Sequence, residues 1–175
     1  MHNQGRKSIR LKGYDYASDG AYFVTVVTKN RTHDFGKVIE GKVLLSEVGQ
    51  IVEKEWLQSA ELRAEVILDT CVIMPNHFHA VVWISHSGEL MPPQHQSLPQ
   101  TPDYVRIYQA CSKDVSALMK GFKGAVKRKA KAAGYSGFEW QSRFHDRIIR
   151  NQDELDKVRL YIQNNPARWE EDELF

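Results

Sequence analysis

The sequence predicts an α+β fold in which an antiparallel sheet carries helices on one face, an architecture of ferredoxin-like type. Three observations carry that prediction. Residues 21–28 and 76–84 are β-branched and aromatic runs, apolar on both parities or nearly so, the pattern of strands inside a sheet. Apolar residues at helical spacing mark three further segments, giving the order strand, helix, strand, strand, helix, strand, helix. The length of 175 residues suits one domain with a sizeable core and leaves no room for two of standard size. A single domain over 1–175 is therefore expected.

The first strand is 21–28. Lys37, Val38 and Ile39 and then Lys42–Leu45 flank Glu40-Gly41, where glycine supplies a positive φ, so a small hairpin is expected. Ser46 suits a helix N-cap, with Val48, Ile51, Val52 and Trp56 following at helical spacing to about Ser59. Residues 64–70 and 71–74 read as extended, and 76–84 as a central strand after the Met74-Pro75 turn. The stretch 85–103 is rich in Pro, Gln and Ser without apolar periodicity, the signature of an exposed polar loop insertion. A second helix is expected over 112–132, with Val115, Leu118, Met119, Phe122 and Val126 as its apolar stripe. A strand over 138–149 follows, carrying Trp140, Phe144, Ile148 and Ile149. The last helix starts at Asn151, where Asn151 and Glu154 resemble a capping box, and ends at Asn165, before Pro166.

Lys plus Arg number 24 against 22 Asp plus Glu, a net charge of +2. That excludes an indiscriminate polycation, so a nucleic-acid partner would have to be met by a local patch. The apolar stretch 80–84 is too short to span a bilayer, and the polar opening is not a signal peptide. Cys71 and Cys111 form no CxxC pattern and read as reduced, buried thiols of a cytosolic protein. The charge is unevenly spread. The second helix carries Lys113, Lys120, Lys123, Lys127, Arg128, Lys129 and Lys131, while Asp153, Glu154, Asp156 and 170–173 are acidic. The lysine-rich face is either simply solvated or a track for a nucleic-acid backbone.

Two constellations could carry chemistry. In a strand, residues two apart project from the same face, so His77 and His79 lie side by side while Phe78 points the other way. Paired neutral imidazoles can share one divalent ion; alternatively each satisfies a local hydrogen bond at a strand end. On the last helix, Tyr161 and Asn165 are four apart and sit one above the other. They suit a nucleophile beside a metal-ligand group, or else an amphipathic packing residue and a helix stop.

In this order, these residues resemble a known family. The blocks that carry the resemblance are Arg6-Lys7-Ser8-Ile9-Arg10-Leu11-Lys12-Gly13-Tyr14-Asp15-Tyr16, the strand 21–28, Val72-Ile73-Met74-Pro75-Asn76-His77-Phe78-His79, Trp140-Gln141-Ser142-Arg143-Phe144-His145-Asp146, and Tyr161-Ile162-Gln163-Asn164-Asn165-Pro166. They are similar to the Y1 single-tyrosine HUH transposases of the IS200/IS605-like superfamily. Within it they are most similar to the tyrosine transposases associated with repetitive extragenic palindromes (REP). The resemblance spans most of the chain except 85–103. Asn165 stands where insertion-sequence members carry glutamine, as it does in the REP-associated branch.

The resemblance implies an HUH endonuclease fold and a metal-dependent single-stranded DNA endonuclease and strand transferase acting on hairpin-forming, REP/BIME-like DNA. His77, His79 and the side-chain oxygen of Asn165 would hold Mg²⁺ or Mn²⁺. Tyr161 would attack the scissile phosphate, giving a 5′-phosphotyrosine and a free 3′-hydroxyl, with His145 a candidate base. Lys120, Lys123, Lys127 and Arg128 would contact DNA, and Arg6, Lys7, Arg10 and Lys12, with Tyr14 and Tyr16 between them, would help read flanking sequence. A cytoplasmic, nucleoid-associated monomer or homodimer with no membrane partner is expected. The competing readings are a DNA- or RNA-hairpin-binding protein on this scaffold that makes no catalytic use of it, and another HUH nuclease of replication-initiator or relaxase type.

Overall fold

Tyr22, Val24 and Val26 point to one side of the first strand and Ala21, Phe23 and Thr25 to the other, and this alternation divides the molecule. The computed structural model describes residues 19–85 and 114–171. The basic segment from Arg6 to Lys12, with Tyr14 and Tyr16, lies outside them, as do Cys111, Lys113 and all but the first residue of the insertion 85–103. The described elements run β1 (Gly20–Val27), β2 (Gly36–Ile39), β3 (Lys42–Leu45), α1 (Glu47–Glu61), β4 (Val66–Ile73), β5 (His77–Ile84), α2 (Val115–Ala132), β6 (His145–Ile149) and α3 (Gln152–Asn164). Four strands form one antiparallel sheet in the order β4-β5-β1-β6, with β1 and β5 interior as their two-sided apolar patterns require. The expected hairpin is a separate β2-β3 pair, turned by Glu40 and Gly41 at φ 51° and 70°. Among the described residues no helix is long and apolar enough to cross a membrane.

α1 and α2 cover one face. Ser46 caps α1 by accepting from the Gly49 amide at 3.1 Å, and Asp114 caps α2 by accepting from the Ala117 amide at 2.7 Å. α1 runs to Glu61, slightly past its expected end. Trp56 meets Phe78 edge-on at 4.9 Å and Phe122 at 5.3 Å, tying both helices to β5 through the centre of the core. Gly49 is required by this packing, because a Cβ there would lie 2.2 Å from the Phe35 carbonyl oxygen.

The last helix departs from expectation. α3 packs on the opposite face, where Leu155, Val158 and Ile162 bury against Ala21, Val81 and Ile149. The reason is legible in β1 and β5: both are apolar on two faces, and a second apolar face needs its own cover. Helices therefore flank the sheet on both sides rather than one.

Three further expectations are corrected. The strand over 138–149 shrinks to His145–Ile149, because Phe138 and Trp140 turn inward onto Phe35, at 5.8 and 5.3 Å, instead of alternating. Only an isolated Thr28–Trp140 bridge precedes it, and Arg143 adopts φ 71°. The two extended segments before Met74 are one strand, β4, with a register shift between Leu68 and Cys71. Cys71 is exposed rather than buried. Asn165 is helical although a proline follows it (φ −57°, ψ −43°). Pro166 has no N–H to extend the α-helical ladder, and the chain tightens into a 3-10 turn over Pro166–Glu171, where the Arg168 amide donates to the Asn165 carbonyl at 3.1 Å.

Candidate active site

The turn that enters β5 is anchored on both sides. The Met74 amide donates to the His77 carbonyl at 2.8 Å, and the Asn76 carbonyl accepts from the amide and hydroxyl of Thr28 at 2.9 and 3.0 Å. His77 and His79 then project from the face that α3 covers. His77 is wholly buried and His79 nearly so, with their ring centroids 4.5 Å apart. Each ring is oriented through Nδ1: that of His77 meets Asn76 Oδ1 at 2.8 Å, and that of His79 meets Thr25 Oγ1, its cross-strand neighbour on β1, at 2.8 Å. Burial, and then the adjacent His77, holds His79 well below the usual imidazole range. It is therefore neutral at ordinary pH, with a lone pair to offer.

α3 brings the second constellation to the first. Asn151 caps it by accepting from the Glu154 amide at 2.9 Å. The Tyr161 hydroxyl lies 3.3 Å from His79 Nε2, its ring 5.4 Å from the imidazole and edge-on to Phe23 at 6.1 Å, while Phe23 stacks on His79 at 5.2 Å. Tyr161 remains 44% exposed, whereas Asn165, one turn later, is buried. His79, Tyr161, Asn165, Thr25 and His145 line one cleft, and His77 adjoins it between His79 and Trp169, the latter 5.9 Å away. All four expected site residues are thus drawn to one region by a strand and a helix far apart in sequence.

One ion pair fixes the tyrosine helix laterally. Arg159 donates to both carboxylate oxygens of Asp69, at 2.9 and 2.5 Å, and Trp83 Nε1 donates to the same carboxylate at 3.1 Å. Burial pushes the Asp69 carboxyl up, but these hydrogen bonds and the guanidinium charge outweigh it and hold the group below its usual range. A carboxylate with a lowered folded pKa stabilises the fold fully above its unfolded value, and that contribution is lost as pH falls through the folded one. Asp69→Asn should cost about 1–2 kcal/mol at pH 7, less than a fully buried pair because Arg159 is partly exposed. In thermal melts the gap between variant and wild type should narrow below about pH 4.

The basic residues divide differently from expectation. α2 lies across the sheet from this cleft. Lys123 donates to the carbonyls of Gln141 and Arg143, at 2.8 and 2.5 Å, and lies 5.8 Å from the Trp140 ring; burial lowers its pKa to about 8. It straps α2 to the 138–144 loop. Lys127 pairs with Glu139 at 3.3 Å, and Lys120 and Arg128 are exposed on that same helix. The clefts beside Tyr161 are lined instead by Lys157, Arg147 and Arg168, which the sequence reading did not single out. Lys157, four residues before Tyr161, was accessible to helix spacing. Thr25, Phe23 and Arg147 needed the strand register: Thr25 pairs with both His79 and His145, and Phe23 with Arg147.

Among the described residues no group of three or more His, Cys, Asp and Glu is placed to hold a metal. A cation here would rest on the two imidazoles and an amide oxygen. That set fits a divalent ion: the Nδ1 atoms of both rings are already held, an arrangement typical of histidines that bind metal through Nε2, and the His79 imidazole is neutral. Thr25→Val removes the partner of His79 Nδ1 with little change of volume. It should weaken divalent-metal affinity about 10–100-fold, measured by titration calorimetry.

No family model matches the chain. A Haemophilus influenzae protein, described only as uncharacterized, is 33% identical over 172 residues, which is 97% of this chain and 93% of its own length. Among solved structures, a REP-associated tyrosine transposase bound to a REP hairpin superposes with a TM-score of 0.58 at 21% identity. The match covers 93% of this chain and 74% of that one. At that identity the likeness concerns the fold.

Proposed function

Because the chain belongs to one family with the Haemophilus influenzae protein and shares its fold with a tyrosine transposase, we propose that it is a transposase-like, single-stranded DNA endonuclease and strand transferase of the HUH type, acting on hairpin-forming DNA. The observation that carries this reading is the Tyr161 hydroxyl 3.3 Å from Nε2 of His79, with His77 against that ring and Asn165 in the same cleft. A half-exposed phenol placed directly against a buried, oriented imidazole pair is poorly explained by packing. It is well explained by a nucleophile facing an electrophilic centre.

The Tyr161 oxygen would form a bond to phosphorus as the bond from phosphorus to the leaving 3′-oxygen breaks. The phenol proton passes to solvent and the leaving oxygen gains one. The phosphodiester energy is conserved in the 5′-phosphotyrosine, so a second 3′-hydroxyl can reverse the step and join strands without ATP. His77, His79 and Asn165 would hold Mg²⁺ or Mn²⁺, which supplies charge neutralisation at the non-bridging phosphate oxygens when bound. Thr25 and Asn76 keep the two rings in register for that task. Phe23 and Trp169 wall the site with aromatic surface.

The Asp69–Arg159 pair and the α3 core hold the tyrosine over the histidines of its own chain. In this arrangement one chain supplies the full set. The test is incubation with Mn²⁺ and hairpin oligonucleotides taken from palindromes beside the protein's own gene. A covalent protein–DNA complex that survives denaturing electrophoresis is the expected result. Binding to such hairpins without any adduct would overturn the nuclease reading in favour of a hairpin-binding protein.

A further inference from the structure

On the β6 side of Tyr161 a second cleft of about 370 Å³ opens, bordered by Phe23, His145, Arg147, Lys157 and Tyr161. This lies within the range of about 300–1,000 Å³ usual for sites that take a small ligand. The strand register builds its floor. Thr25 faces His145 and Phe23 faces Arg147 across the β1–β6 pair, so all four side chains project toward α3. Lys157 stands one helical turn before Tyr161 and forms no ion pair among the described residues.

Two basic residues, Lys157 and Arg147, and one acidic residue, Asp146, border this cleft. The cross-strand partner of Asp146 is Val24, whose side chain belongs to the opposite core. Glu154 pairs with Nε of Arg147 at 3.3 Å. The guanidinium has further N–H donors on its terminal nitrogens, so this pair does not occupy the whole fork. Phe23 is half-buried, stacked on His79 and edge-on to Tyr161. An aromatic floor rimmed by cations is the arrangement by which proteins hold unpaired nucleotides: the ring takes a base, and the cations take the backbone.

We infer that this cleft seats one unpaired nucleotide next to the phosphate attacked by Tyr161, its base against Phe23 and its phosphate between Lys157 and Arg147. The inference deepens the strand-cleavage reading and rests on it for the identity of the neighbouring phosphate. It also places the substrate strand on the α3 face rather than along α2.

The experiment uses the full chain carrying Tyr161→Phe, which cannot cleave, and a fluorescent oligothymidylate too short to fold. Its dissociation constant is measured across a salt series. Lys157→Gln and Arg147→Gln, added singly, should each lower the log–log salt slope by about 0.7, the loss of one single-strand phosphate contact. Replacing the bound thymidine with an abasic residue, scanned along the oligonucleotide, should weaken binding on the order of tenfold at one position. Phe23→Leu should erase that preference. Unchanged slopes in both cation variants, with circular dichroism unaltered, overturn the inference. So does a slope that falls only in Lys120→Gln and Arg128→Gln, which would put the strand on the other face. The outcome is separable from the nuclease reading: lowered slopes with no adduct from the tyrosine-bearing chain sink only the latter, and an adduct with unchanged slopes sinks only the subsite.

Discussion

Tyr161→Phe should abolish the covalent protein–DNA adduct completely while leaving hairpin affinity and metal affinity close to wild type. The change deletes one oxygen from a side chain that is 44% exposed, so the fold should lose no more than about 0.5 kcal/mol. What it removes is the atom that would bond to phosphorus, for which no neighbouring hydroxyl among the described residues can substitute. Thr25 is held by His79 and is mostly buried, and among the described residues no other tyrosine borders either cleft. Denaturing electrophoresis of the protein with labelled hairpin DNA and Mn²⁺ reads the result. Persistence of the adduct at even one-tenth of the wild-type yield would place the nucleophile elsewhere and sink the assignment.

The second large effect concerns the histidine pair. His79→Ala should reduce cleavage by more than the roughly 100-fold typical of losing an outer-shell partner, because it would remove a donor to the ion itself. Manganese binding should disappear in calorimetry while hairpin affinity stays within about threefold. His77→Ala should act in the same direction with a larger cost in stability. His77 is wholly buried and its loss leaves the side chain of Asn76 without that contact, an effect of about 1–3 kcal/mol. His77→Gln, closer in volume and still polar, separates the two causes: it should regain part of the stability and none of the cleavage. If both alanine variants bind manganese as wild type does, the pair is structural.

The sheet and its site were legible to different degrees. Alternation along β5 placed His77 and His79 on one face from spacing alone, and helical spacing stacked Tyr161 over Asn165. That the two constellations meet was implied by the family resemblance alone; its physical reason, α3 crossing the histidine face, was not legible in spacing. The sequence reading assigned all helices to one side, although Ala21, Phe23, Val81 and Trp83 already marked a second apolar face on β1 and β5. Thr25, the partner of His79, has no local signal, because its role exists only once β1 and β5 are in register. The placement of the α2 lysines was hidden for a related reason. A run of charge states which residues are basic, not which side of the sheet the helix will take or which carbonyls will engage a given lysine. Lys123, held by Gln141 and Arg143, is the clearest case. Lys157 escaped attention because it sits among Asp153, Glu154 and Asp156, where the local balance is acidic.

Tyr161 and Asn165 share one helical turn, and therefore one rigid body. Under the proposed chemistry the attacking oxygen and the third donor to the ion cannot be moved separately. A displacement of α3 large enough to carry a tethered strand away from the histidines would also dismantle the centre able to reseal or recut it. The tether would stay chemically silent until the helix docked again. Such an interlock would protect a reactive phosphotyrosine from premature reversal with no additional lid, and the ion pair of Arg159 with Asp69 would set how firmly the latch closes.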